Sequence, residues 1–241
     1  MMIVKKQKCP DIAMSGHFIL GGSGMNKTKK MTTVALLCAL SYIAMFMSRF
    51  LPPLFVAFPF LKYDPKDVII VIGGFLYGPL AAFSISLIVS VVEMITVSGT
   101  HIVGCIMNIA SSCAFACTAS VIYLKYRNMK GVSVGLILGV VLTTAVMLIL
   151  NYYLTPLYTG MPRAAVAELL IPAILPFNVI KCVLNSALAL LIYKPFTRIL
   201  RQSGLLPKAE RQSTAKLNIA VIITALILII ASVGAIIIIN G

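Results

Sequence analysis

Pro176-Phe177-Asn178-Val179-Ile180-Lys181, continued as Cys182-Val183-Leu184-Asn185, sets three polar side chains inside a segment otherwise apolar enough to span a bilayer. On a helix, Asn178, Lys181 and Asn185 stand three and four residues apart and share one face. An ammonium at the centre of a membrane helix costs at least about 2.5–3.5 kcal/mol on insertion scales. The face is therefore expected to look into a bundle or cavity, where water, a second side chain or a ligand satisfies it. The reading adopted is that it looks at a bound ligand.

The rest of the chain has the balance of a polytopic membrane protein. It has 241 residues, 60% hydrophobic and 11% charged, with mean hydropathy +1.04, which excludes an ordinary soluble domain. The net charge of +14 does not point to nucleic acid, because the basic residues form short blocks between apolar runs. That pattern encodes topology and, secondarily, attraction to an anionic leaflet. Of the six cysteines, all but Cys9 lie in apolar runs, with neither a disulfide framework nor CxxC metal spacing. Cys113 and Cys117, one turn apart, read as small helix-packing residues. No metal and no cofactor is expected.

Residues 1–30 carry six lysines around Gly21-Gly22-Ser23-Gly24 and read as a basic cytosolic tail. Gly21 to Thr28 approaches a phosphate-binding loop but fails: Asn26 replaces a required glycine, and an apolar span follows where the motif needs an α/β domain. As a signal peptide the tail is a weak match, since its apolar run is short and interrupted. Spans are expected at 31–50, 66–77, 80–97, 101–126, 132–154 and 171–193, with a further span at 217–239 after a basic connector. The membrane domain is thus 31–200, the connector 201–216 and the additional C-terminal helix 217–241. That last helix carries no charge and reads as peripheral, facing lipid.

Several residues stand out on this frame. Ala35 and Ala39 form a small-xxx-small pair, suited either to packing inside the bundle or to close approach by another helix. The loop from Leu51 to Asp67 is rich in proline and aromatics and suits a lid folded over a pocket. Asp64-Pro65 with Asp67 fits helix capping. Glu93 is read as lying near the surface or paired with a neighbour, with proton coupling as the sharper alternative. Asn108 either lines the cavity or bonds between helices. A second outer loop is expected at 155–170, with a short helix over 163–170. No HExxH motif is present and Ser98 stands in no GxSxG motif, so Ser98 and His101 lack support as catalytic residues and no enzyme activity is expected.

The basic residues orient the chain. With the N-terminus cytosolic, the tail, the loop after the fourth span and the connector hold 15 Lys and Arg, against four outside: Arg49, Lys62, Lys66 and Arg163. Both long loops then lie outside, over a pocket floored by Asn151, Asn178 and Lys181.

Leu61-Lys62-Tyr63-Asp64-Pro65-Lys66-Asp67, the Gly73-Gly74-Phe75 and Gly78-Pro79 steps, Met107-Asn108, Asn151 and Pro176-Phe177-Asn178-Val179-Ile180-Lys181 occur in this order. Together they resemble the riboflavin-binding S component of energy-coupling-factor (ECF) vitamin transporters, over about residues 31–200. The resemblance implies an all-α six-helix S-component bundle, here with one extra C-terminal transmembrane helix, in a bacterial plasma membrane. It implies a pocket near the outer surface that takes riboflavin as transported ligand. Transport would come from a transmembrane coupling protein and two ATPase subunits, with Ala35 and Ala39 docking the coupling protein. Asn151, Asn178 and Lys181 are the leading ligand contacts, with Leu61, Tyr63, Asn108 and Phe177 beside them. Asn amides can both donate to and accept from the uracil-like edge of the flavin, and an ammonium can donate to carbonyl or ribityl oxygens. The competing expectations are an S component for another vitamin or flavin analogue, and a proton-coupled secondary carrier, for which the chain shows no internal repeat.

Overall fold

The structure is a computed structural model that describes residues 27–50, 58, 61–126, 129–205 and 219–240. The basic tail before Lys27, most of the expected lid and the bulk of the connector fall outside the described residues. Those described are helical throughout apart from short turns, as the composition requires: in a bilayer each backbone polar group must be satisfied inside its own segment.

Five helical stretches are long and apolar enough to cross a membrane. The first is α1 (Lys27–Ser48), which starts four residues before the expected span and takes in the last lysines of the tail. Next come α2 (Lys66–Tyr77) and α3 (Pro79–Thr96). They are separated only by Gly78, whose φ of 89° is open to glycine, with Pro79 starting the next helix. The third crossing joins α4 (His101–Ser112) to α5 (Thr118–Tyr126) through a π turn at Cys113–Cys117. The fourth is α6 (Met129–Thr159). The fifth begins as α7 (Arg163–Leu169), passes a second π turn at Leu170–Ile174 and continues as α8 (Leu175–Gln202). A last apolar helix, α9 (Ile219–Asn240), packs along α8.

Two expectations about the segment from 155 to 193 are corrected. Pro156 does not end the fifth span. Helix α6 runs through it to Thr159 and stops at Gly160, which has φ 73° and donates its amide to the Pro156 carbonyl. Nor are 163–170 and 171–193 separate elements, because the π turn carries the helix past Pro172, which has no N–H to give. The expected loop at 155–170 shrinks to three residues, 160–162.

At 1.5 Å per residue α2 spans about 18 Å, well short of the roughly 30 Å hydrocarbon core. It is nonetheless the centre of the bundle. Ten of its residues are buried, among them Val68, Ile70, Val71, Ile72 and Phe75 of the main apolar core. Helix α6 closes onto the third crossing through glycines at positions 135 and 139. A Cβ at Gly139 would stand 2.9 Å from the Phe115 carbonyl oxygen, and one at Gly135 would stand 2.8 Å from that of Ala119. This is the small-residue contact by which helices associate in lipid. Its GxxxG spacing was a legible signal that the reading passed over.

Candidate functional site

Six charged side chains converge where the first loop enters the bundle. Lys66, at the start of α2, sends its ammonium to Asp64 (2.7 Å) and to Glu93 of α3 (2.5 Å). The other oxygen of Glu93 pairs with Arg49, at the turn after α1. Lys181 of α8 lies 3.5 Å from Asp67. Three cations, Arg49, Lys66 and Lys181, thus face three carboxylates, Asp64, Asp67 and Glu93. Such balance is what allows the group to be buried, since an ion left single in this interior would carry several kcal/mol of desolvation.

Neutral groups take up the remaining lone pairs. Ser112 donates to Asp67 (2.5 Å), Asn108 donates to Glu93 (3.1 Å), and the Lys66 amide donates to Asp64 (3.1 Å). Asp64 and Asp67 also lie at the positive end of the α2 dipole. Helices α2, α3, α4 and α8 and the turn after α1 all contribute, so the cluster ties the bundle together at one end.

The face of α8 quoted at the outset is divided by this arrangement. Lys181 is buried and paired with Asp67 rather than standing alone. Asn185, one turn further, holds the loop: it accepts from the Tyr63 hydroxyl (2.8 Å) and donates to the Asp64 carbonyl (3.2 Å). Asn178, one turn before Lys181, donates one amide hydrogen to the Ile174 carbonyl (2.8 Å). That hydrogen bond leaves its second N–H and its amide oxygen for another partner.

The other expected site residues separate in the same way. Asn151 is buried in α6, donating to the Met147 carbonyl and accepting from Thr155. Leu61 and Phe177 meet in a small apolar cluster with Ala173 and Ile180, against which Phe58, Leu184, Ala235 and Ile236 pack. The cluster lies one residue round α8 from the polar stripe. Asn108 takes the interhelical alternative, bonded to Glu93. Ala35 and Ala39 lie on the exposed side of α1, so packing inside the bundle is not their use here.

Three charged residues are placed differently from the expectation. Lys66, counted as an outer-loop charge, is fully buried. Asp67 is more than a first-turn acid, because it is the partner of Lys181. Asp64 keeps a capping bond to the Lys66 amide, but its side chain also pairs with the Lys66 ammonium. Glu93 follows the plainer of its two readings, paired on both oxygens. The missed signal was Asp64-Pro65-Lys66-Asp67 at the head of a helix too short to cross: charges there must find partners inside. Among the described residues no group of His, Cys, Asp and Glu is placed to hold a metal.

A family model described as ECF transporter, substrate-specific component, matches residues 29–193. The riboflavin transporter FmnP of Bacillus subtilis (strain 168) is 31% identical over 178 residues, covering 69% of this chain and 91% of that protein. The riboflavin transporter RibU of Staphylococcus aureus (strain TCH60) is 29% identical over 187 residues, 74% of this chain and 95% of that one. A solved structure described as "Structure and mechanism of the S component of a bacterial ECF transporter" superposes with a TM-score of 0.61. It has 28% sequence identity and covers 73% of this chain and 99% of that one.

Proposed function

The chain belongs to the family of ECF transporter substrate-specific components, and from that premise we propose that it captures riboflavin at one membrane face and releases it to the other in a larger transport assembly. The observation that carries the proposal is the α8 stripe. Its residues Asn178 and Lys181 sit between a loop held by Asn185 and an apolar patch formed by Leu61 and Phe177. The relatives named as riboflavin transporters support the choice of vitamin.

The chemistry is that of a polar edge read against an apolar ring. Asn178, with the free half of its amide, and Asn151, whose amide can be redirected from its own helix, would pair with the carbonyl and imide edge of the flavin. Lys181 would donate to a carbonyl or ribityl oxygen from its place beside Asp67. Leu61, Phe177 and Tyr63 would cover the ring. Asn108 stands one step behind, holding Glu93. No proton-carrier role falls to Glu93, which two cations and an amide already occupy.

The N-terminus lies in the cytosol by the distribution of Lys and Arg, which puts the charged cluster and the first loop outside in a bacterial plasma membrane. The exposed Ala35 and Ala39 would dock a transmembrane coupling protein that works with two ATPase subunits. The test is titration of the detergent-purified chain with riboflavin, followed by quenching of flavin fluorescence. Saturable, near-stoichiometric binding by the native chain and its loss in the Lys181→Ala/Asn178→Ala variant is the expected result. No binding by a folded native chain overturns riboflavin as the ligand.

A further inference from the structure

Helix α9 lies beyond residues 29–193 of the family model, yet it reaches the apolar half of the candidate site. Its stripe Ala225, Ser232, Ala235 and Ile236 turns toward α8, with Ala225 and Ser232 buried, while Ile223, Ile227, Ile230 and Ile237 face away. Small residues at 225 and 232, seven apart, let the two backbones approach. Helices α8 and α9 run antiparallel, which brings the end of α9 level with the start of α8. There Ala235 and Ile236 pack against the cluster of Leu61, Ala173, Phe177 and Ile180.

Three elements meet in that cluster. Leu61 comes from the first loop, joined to Phe58 by a backbone hydrogen bond of 2.9 Å. Ala173 belongs to the π turn, and Phe177, Ile180 and Leu184 follow at helical spacing on α8. Without α9 the outer side of Phe177 and Ile180 would meet lipid tails, which adapt to any rotamer. With α9 it meets a fixed wall, and close-packed side chains keep their positions.

We propose that Ala235 and Ile236 are positioning residues for the riboflavin site, acting through Phe177 and Leu61 to hold the apolar cover over the bound ring. The inference rests on the reading under Proposed function. Because affinity differences between related complexes fall mostly in the dissociation rate, the wall acts by slowing release of the ligand.

The experiment uses the full chain in detergent and measures riboflavin dissociation by recovery of flavin fluorescence, with the melting midpoint of the flavin-free protein alongside. Ile236→Ala is expected to speed release roughly three- to tenfold with little change in the flavin-free midpoint, and Ile236→Leu to restore the native rate. Ile230→Ala, which removes the same atoms from the lipid-facing side, is expected to leave release unchanged. Ala235→Leu, a second route to the same contact, is expected to speed release by overfilling the cluster.

Native release rates in both Ile236→Ala and Ala235→Leu overturn the inference while leaving riboflavin capture intact. Equal acceleration by Ile236→Ala and Ile230→Ala overturns it as well, since the effect would then be general packing of α9. A native chain that binds no riboflavin removes the proposed function itself, and this inference with it.

Discussion

Helices α2 and α9 are both apolar but differ in length and in charge. The first has 12 residues and opens with Lys66 and Asp67; the second has 22 residues and no charged side chain. Yet the more apolar helix is the peripheral one, and the helix headed by charges is the centre of the bundle. In lipid an apolar side chain gains nothing by moving to the interior, so packing and polar pairing decide which helix is central. Ionic groups have no alternative to the interior except the interface. Position in this fold therefore follows partners, and hydropathy reports only that a helix belongs to the membrane.

The largest effect is expected where the comparison is sharpest, at the head of α2. Replacing Lys66 by Met leaves Asp64 and Glu93 one cation short in a buried cluster and should cost about 3–5 kcal/mol, read as a collapse of the melting midpoint in detergent. The Lys66→Met/Glu93→Gln double variant restores the charge balance among Arg49, Lys181, Asp64 and Asp67. It should recover part of the loss, since members of one network are not additive. A double variant whose loss equals the sum of its singles would show that Lys66 and Glu93 do not act as a unit.

The next effect is expected at Asn185, which fastens the loop ahead of α2 without carrying charge. Asn185→Ala removes the bonds to Tyr63 and to the Asp64 carbonyl and should cost about 1–3 kcal/mol. Hydrogen exchange should locate the loosening at the first turn of α2, with α9 unaffected. Uniform loss of protection along the chain would mean that Asn185 supports the whole bundle rather than the loop.

This contrast also marks what could be read in the sequence. The all-α membrane class, the short second span, the Gly78-Pro79 break and the peripheral last helix followed from apolar run lengths and turn chemistry, which are local. The polar face of α8 was legible for the same reason, as a spacing within one helix. The partners were not: nothing in the local sequence joins Lys181 to Asp67 or Lys66 to Glu93, which come from different helices. Charge counting even set Lys66 outside, because it stands beside a loop. The extent of α6 and α8 was misjudged for a different reason. Proline is a reliable stop in water, whereas in a membrane bundle the neighbouring helices and a π turn keep the chain helical through Pro156 and Pro172.

A smaller effect tests whether close approach is confined to the centre. Gly139 of α6 lies against the Phe115 carbonyl, so Gly139→Ala should push the third crossing away and cost about 1–3 kcal/mol. The measurement is again the melting midpoint. An unchanged midpoint would mean that the helices part without penalty and that the glycine pair does not set their separation.

The smallest effect is expected at the other pole of the comparison, and its sign is the informative part. Gly234 lies in α9 with nothing within 4 Å of where its Cβ would be. In such open space an added methyl meets no neighbour, and what remains is backbone entropy: Ala is favoured over Gly inside a helix by roughly 0.5–1 kcal/mol. Gly234→Ala should therefore raise the melting midpoint slightly, whereas Gly139→Ala lowers it. The two substitutions are chemically identical, and only the distance to the next helix separates them. A fall in midpoint at Gly234 would mean that another surface approaches α9 as closely as α6 approaches Phe115. The outer helix would then be packed on two sides, and the distinction between central and peripheral helices would no longer hold at its C-terminal end.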